Sequence, residues 1–332
     1  MPSDRTFVTE LATGLGMAGA DSLGAVVVAR PRIFRNVGED DWQRLTDLWR
    51  SGTFESEFGA GWENGQAFLA ARDALGGRLP RVIEWTGGRR PPGDEVVPAD
   101  LRIDHVYLVS CKYLSQILHN PSPARLVEGL LSTAPVTDAR DWYVRTAPEE
   151  YQALYEACAD VVDSGGLPMF AMSLVSEHRR LLSAVLKGGW PAGADIAYER
   201  LCEAVSKATA REWSIRITSA NAEAVLWRLL RIGSVPYFVL GASRHGSMRL
   251  RIDTPWDWRQ QYRLSHFSVE AQTGGQPRVG WTAVCEERSS GAERVVSGHV
   301  EIRWSHGRFA QPPEAKVYLD CAHETVPGYH AL

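Results

Sequence analysis

Residues 97–113 contain two short runs in which polar and apolar side chains alternate. The polar positions of the first run are Asp100, Arg102 and Asp104, and those of the second run are Ser110 and Lys112. Successive side chains of a β-strand point to opposite faces of a sheet, so this alternation predicts two strands that form a hairpin. Few other patterns in the chain restrict its fold as tightly.

The hydrophobic positions of this hairpin fix its register. The residues to be buried together are Leu101, Ile103, Tyr107 and Val109. Pairing them places Asp100 on the same face as Ser110 and Lys112, because a slip of one residue would invert every side chain. The sequence therefore predicts that a carboxylate and an ammonium group lie close together.

A carboxylate beside a lysine is suited to metal-assisted hydrolysis. Carboxylate oxygens are hard ligands that bind Mg²⁺, and a bound metal polarises a phosphate and lowers the pKa of a coordinated water. A neighbouring ammonium group orients that water or stabilises the negative charge that develops. Asp100 and Lys112 are therefore candidate residues for phosphodiester hydrolysis.

This stretch resembles the PD-(D/E)XK nuclease superfamily, in which a helix precedes a sheet and the active site lies on two adjacent strands. By the resemblance, Asp100 matches the metal-binding aspartate, Lys112 the motif lysine, and Cys111 the middle residue whose backbone carbonyl joins the metal shell. Glu63 resembles the glutamate that the family's first helix supplies. The resemblance implies Mg²⁺ or Mn²⁺ as cofactor and double-stranded DNA as substrate, with a role in restriction or phage defence.

The sequence departs from the family pattern at Ser110, where the family has Glu or Asp. Serine is a poorer metal ligand and carries no negative charge, so another acid must replace it or activity is lost. Glu63 is the first candidate and Glu84 the second. Two other functions stay open: a degenerate module of the same fold that binds or senses nucleic acid, and a protein- or glycan-binding protein. In the simplest alternative, Asp100 and Lys112 form only a cross-strand ion pair.

The rest of the chain predicts an α/β protein with a restriction-endonuclease-like core of a helix, a mixed sheet and further helices. Helical periodicity extends to about residue 78, strands follow at 81–85 and 96–113, and residues 121–231 are mostly helical. The apolar run 236–241 predicts a buried strand, and four alternating segments between 248 and 319 predict antiparallel strands. We expect a core over residues 1–245, with a helical insertion at about 121–231, and a β-rich extension over 246–332.

Composition and charge limit the location and partners of the protein. The chain has 44% hydrophobic and 23% charged residues, which is ordinary for a globular protein, and a formal net charge of -4. Its five cysteines have irregular spacing, which predicts a reduced, cytoplasmic protein. No apolar run approaches the ~20 residues needed to cross a bilayer, so we expect no membrane segment. A homodimer is consistent with cutting both DNA strands, although no interface is legible in the sequence.

Residues 211–272 form a local basic patch within this acidic chain. They contain nine arginines against five acids, with aromatic residues interleaved between the basic ones. Such a mixture can contact phosphates and stack on bases, although tryptophans more often pack in a core. The candidate nucleic-acid contacts are Arg249, Arg251, Trp256, Trp258 and Arg259.

Overall fold

The protein is a mixed α/β protein, described here by a computed structural model. The structure describes residues 3–87, 99–114, 117–118, 120–127, 141–162, 166–243 and 246–332. The predicted start of the first hairpin strand at 96–98 lies outside these residues. Two compact units are present: unit 1 comprises Met1–Gln116, Arg231–Gln260 and Val326–Leu332, and unit 2 comprises Ile117–Leu230 and Gln261–Thr325.

Helices and strands occur in both units. The helices are α1 (Asp4–Gly16), α2 (Leu23–Ala29), α3 (Glu39–Ser51), α4 (Glu55–Ala70), α5 (Pro123–Val127), α6 (Trp142–Thr146), α7 (Pro148–Ala159), α8 (Ser176–Val185), α9 (Ala194–Arg216), α10 (Ala222–Leu229) and α11 (Pro255–Gln261). The strands are β1 (Phe34–Arg35), β2 (Ile83–Trp85), β3 (Leu101–Ile103), β4 (Tyr107–Tyr113), β5 (Tyr237–Ser243), β6 (Gly246–Ile252), β7 (Tyr262–Gln272), β8 (Arg278–Glu287), β9 (Glu293–Arg303), β10 (Glu314–Leu319) and β11 (Tyr329–Ala331).

Unit 1 is built on a seven-stranded mixed sheet with the order β1-β2-β3-β4-β5-β6-β11. The pairs β1/β2 and β4/β5 are parallel, and the other neighbouring pairs are antiparallel. A tight turn at Asp104 and His105 joins β3 to β4, and both residues have positive φ angles of 51° and 60°. Two left-handed residues suit a short hairpin because they match the twist of the strands.

Helices α1 and α4 cover one face of this sheet with apolar side chains. The buried cluster includes Phe7, Leu11, Phe68, Leu101 and Val109. Burial of this apolar surface is the main favourable contribution to the stability of the unit.

Glycines allow α1 and α4 to approach each other closely. A Cβ atom built on Gly65 would lie 2.1 Å from the carbonyl oxygen of Thr13, and one on Gly61 would lie 2.8 Å from the Cβ of Ala12. Larger residues at either position would push the helices apart. This close approach fixes where the side chains of α1 lie over the sheet.

Unit 2 combines helices with a four-stranded antiparallel sheet of order β10-β9-β8-β7. Its interior contains an ion pair in which Arg179 Nη2 donates to Asp141 Oδ2 over 3.0 Å, and both side chains are buried. The hydroxyl of Tyr151 and the backbone N–H of Tyr143 also donate to this carboxylate. Burial nevertheless raises the pKa of Asp141, so Arg179 only partly compensates for the loss of water.

The observed units differ from the expected boundaries. Strand β6 pairs with β5 in the sheet of unit 1, whereas the expected extension began at residue 246. The mostly helical segment was expected at about 121–231, and residues 117–230 group with β7 to β10 instead of with the core. None of the helices within the described ranges is long and apolar enough to cross a bilayer.

Candidate active site

The hairpin of β3 and β4 has the register that its hydrophobic pattern predicts. Leu101 pairs with Val109 and Ile103 pairs with Tyr107. Asp100, immediately before β3, accepts hydrogen bonds at Oδ2 from the backbone N–H of Cys111 at 2.6 Å and from the hydroxyl of Ser110 at 3.3 Å. Because Ser110 and Lys112 share one face of β4, Asp100 lies on the same side of the sheet as the lysine.

A third ionisable group, Glu10, interacts electrostatically with this pair. It lies on α1, which covers the face of the sheet that carries Leu101 and Val109, opposite to Ser110 and Lys112. Its side chain is buried, and the indole N–H of Trp85 donates to its Oε2 over 2.6 Å. Burial and then the negative charge of Asp100 raise the pKa of Glu10 from 4.5 to about 8, and Trp85 and Lys112 partly oppose the rise. Glu10, Asp100 and Lys112 therefore interact electrostatically.

The environment of the Cys111 thiol favours its neutral form. Burial, followed by the negative charges of Asp100 and Glu10, raises its pKa well above the ordinary value. Metals bind the thiolate, which is strongly disfavoured here. The role that the family resemblance implies for Cys111 concerns its backbone carbonyl, which the protonation of the thiol does not change.

Gly241 on β5 lies directly beside Lys112 in the parallel pair of β4 and β5. A Cβ atom on Gly241 would lie 2.5 Å from the carbonyl oxygen of Lys112 and 2.9 Å from its Cβ atom. Glycine therefore permits the backbone of β5 to approach the lysine strand closely.

The two carboxylates at this site, those of Glu10 and Asp100, are oxygen donors of the kind that hard divalent cations prefer. Within the described ranges, no group of three or more His, Cys, Asp and Glu side chains is arranged to hold a metal. Mg²⁺ does not require such a group, since it usually keeps several waters and binds through one or two carboxylates. Glu10 and Asp100 supply two carboxylates whose mutual repulsion a cation would offset.

No protein-family model matches this chain, and neither a curated protein nor a solved structure is significantly similar to it. The chemistry of the site therefore has to be inferred from its own residues.

The two acids expected to replace the missing family acid have different surroundings. Glu63 is exposed on α4, because this helix packs on α1 through its glycine side at Gly61 and Gly65. Glu84 on β2 forms an ion pair with His105, with 2.9 Å between Oε2 and Nδ1. The exposed position of Glu63 on α4 differs from that of the helix acid that the resemblance implies, and Glu10 on α1 is the helix acid whose charge interacts with that of Asp100.

The five predicted nucleic-acid contacts do not share one environment. Trp256 is 69% exposed, whereas Trp258 is fully buried and has no ring face available for stacking on a base, which corrects the expectation for that residue. Arg249 donates from Nε to the buried Asn64 at 2.9 Å, and Arg251 lies 3.7 Å from Asp253. Of the five, Trp256 and Arg259 are the exposed ones.

Sequence reasoning did not identify Glu10, although the sequence contains a signal for it. Phe7 and Leu11 mark the apolar side of α1, and Glu10 lies on the same side at helical spacing. A carboxylate on the buried side of an amphipathic helix is costly unless it has a partner or a function.

Proposed function

We propose that this protein is a metal-dependent nuclease of restriction-endonuclease-like fold that hydrolyses phosphodiester bonds of DNA. The observation that supports the proposal is the register of β3 and β4, which puts Asp100 on the same side of the sheet as Lys112. Further support comes from the order of elements, since a helix that carries an acid precedes a mixed sheet whose adjacent strands carry the aspartate and the lysine.

Each residue has a defined part in this proposal. Glu10 and Asp100 would hold Mg²⁺ or Mn²⁺, and the backbone carbonyl of Cys111 would supply a neutral oxygen. The bound metal would polarise the scissile phosphate and lower the pKa of an attacking water. Lys112 orients that water and stabilises the charge that develops on phosphate oxygens. Ser110, fully buried, donates its hydroxyl hydrogen bond to Asp100 and keeps the carboxylate in place.

Glu10 must release its proton before it can bind a cation as a carboxylate. In the metal-free protein its pKa of about 8 keeps most of the side chain neutral at pH 7. A nearby divalent cation favours the ionised form, so metal binding and proton release are coupled. Activity is therefore expected to increase between pH 6 and pH 9.

A nucleic-acid-binding or sensing module without cleavage is the second candidate. It is favoured by Ser110, which adds no charge, and by Asp100, whose Oδ2 already accepts two hydrogen bonds. In that case the buried Glu10 stabilises the fold, and Lys112 contacts nucleic acid without hydrolysis.

The decisive experiment is incubation of supercoiled plasmid with Mg²⁺ or Mn²⁺. We expect the wild-type protein to cut it, and Asp100→Ala, Lys112→Ala and Glu10→Gln each to reduce the rate by about 100-fold or more. The matched control is Glu63→Gln, which alters an exposed acid and should leave the rate unchanged. Equal cleavage by wild type and Lys112→Ala would refute the assignment. Salt-dependent DNA binding without cleavage would favour the second candidate.

A further inference from the structure

An apolar groove of about 390 Å³ opens on the surface of unit 2, beside α7. Its apolar lining consists of Val144, Pro148, Ala153, Phe170, Ala171 and Met172. Three large side chains in and next to it are exposed: Met169 by 79%, Phe170 by 53% and Met172 by 71%. A cluster of large exposed apolar groups on a soluble surface is typical of an interaction site.

The segment that carries these side chains is held firmly. Gln152 on α7 donates from Nε2 to the carbonyl of Met169 at 3.0 Å and accepts the backbone N–H of Ala171 at 2.8 Å. The hydroxyl of Tyr155 donates to the carbonyl of Pro168. Exposure of Met169 and its neighbours is thus part of an ordered structure, and a partner would lose little entropy in ordering this surface.

The polar part of the groove is acidic. Glu149 and Glu156 line it and are exposed, and no Lys or Arg is among its described lining residues. Two carboxylates beside an apolar surface favour a partner with basic side chains next to apolar ones, and disfavour an anionic membrane or a nucleic acid.

We propose that this groove binds an amphipathic basic helix of a partner protein. A groove of this volume is at the small end of binding pockets and accommodates a few anchoring side chains. The apolar face of the helix packs on Phe170 and Met172. The flexible side chain of the neighbouring Met169 changes its conformation to contact the apolar side chains of the helix. Lysines or arginines of the helix contact Glu149 and Glu156 at the rim.

The test uses the full chain and two fluorescein-labelled synthetic peptides. Both have leucines at i, i+3, i+4 and i+7 spacing; the remaining positions are lysine in one peptide and glutamate in the other. Fluorescence anisotropy should show saturable binding of the lysine peptide and binding of the glutamate peptide at least about tenfold weaker. Failure of the lysine peptide to bind would overturn the proposal.

Surface variants separate this groove from nonspecific adsorption. Phe170→Ser and Met172→Ser should each lower the affinity for the lysine peptide by about tenfold. Val28→Ser, which removes an exposed valine of unit 1, should leave that affinity unchanged. The double variant Glu149→Lys and Glu156→Lys should reverse the preference toward the glutamate peptide. The proposal would be refuted if Met172→Ser bound the lysine peptide as tightly as the wild type does. It would also be refuted if the wild type bound phosphatidylglycerol vesicles as tightly as it binds the lysine peptide.

Discussion

Replacement of Glu10 by glutamine should change how the stability of the metal-free protein depends on pH. A carboxyl group whose pKa rises from 4.5 to about 8 on folding binds more protons in the folded than in the unfolded state between these values. Its contribution is therefore fully present below about pH 4.5 and is lost as the pH rises through 8. At about 1.4 kcal/mol per pKa unit, the loss is at most roughly 5 kcal/mol.

The assay is urea unfolding with a chelator present, at several values between pH 5 and pH 8.5. The free energy of unfolding of the wild type, measured relative to Glu10→Gln, should fall by a few kcal/mol across this range, because other titrating groups cancel in the difference. Glutamine keeps the hydrogen bond from Trp85, so the fold is preserved. Added Mg²⁺ should stabilise the wild type more at pH 8 than at pH 5. Parallel stability curves for the two proteins would show that Glu10 does not titrate in this range.

Two further predictions concern packing. Gly65→Ala should destabilise unit 1 by about 1–3 kcal/mol or more, because its Cβ would overlap the backbone of α1. Gly59→Ala on the same helix meets open space and should stabilise the unit by about 0.5–1 kcal/mol. Thermal unfolding measures both changes, and equal effects of the two variants would contradict the close approach of α1 and α4. Arg179→Met should lower the free energy of unfolding by about 3–5 kcal/mol, because it leaves the buried carboxylate of Asp141 unpaired. Adding Asp141→Asn should restore part of that loss. A double variant no more stable than Arg179→Met would contradict an interaction between the two side chains.

The sequence predicts the hairpin well because the residues that determine it are close together along the chain. The alternation from Leu101 to Val109 sets the register, and the register sets which side of the sheet carries Asp100 and Lys112. The helix acid depends on how α1 packs on the sheet, about ninety residues away from Asp100 along the chain. No local pattern in the sequence indicates that packing, so the sequence favours Glu63, whose context resembles the family helix, over Glu10.

Strand pairing explains the differences in the rest of the fold. Alternation over 248–252 predicts a strand, but only tertiary pairing decides that β6 joins β5. Strand β11 has three residues, too few for a detectable period, and β7 is exposed along much of its length, so its pattern is weak. Trp256 and Trp258 differ by two positions on a helical turn, which is enough to bring one into solvent and the other into the core.

The discontinuous path of unit 1 has a consequence during synthesis. A ribosome delivers β1 to β4 first, then the first segment of unit 2, then β5 and β6, then the second segment of unit 2, and β11 only after residue 328. Until then β6 is an edge strand, whose free backbone N–H and C=O groups can pair with strands of other nascent chains. Shortening the chain ahead of Tyr329 would make that transient exposure permanent, so insoluble product is the expected result of such a deletion.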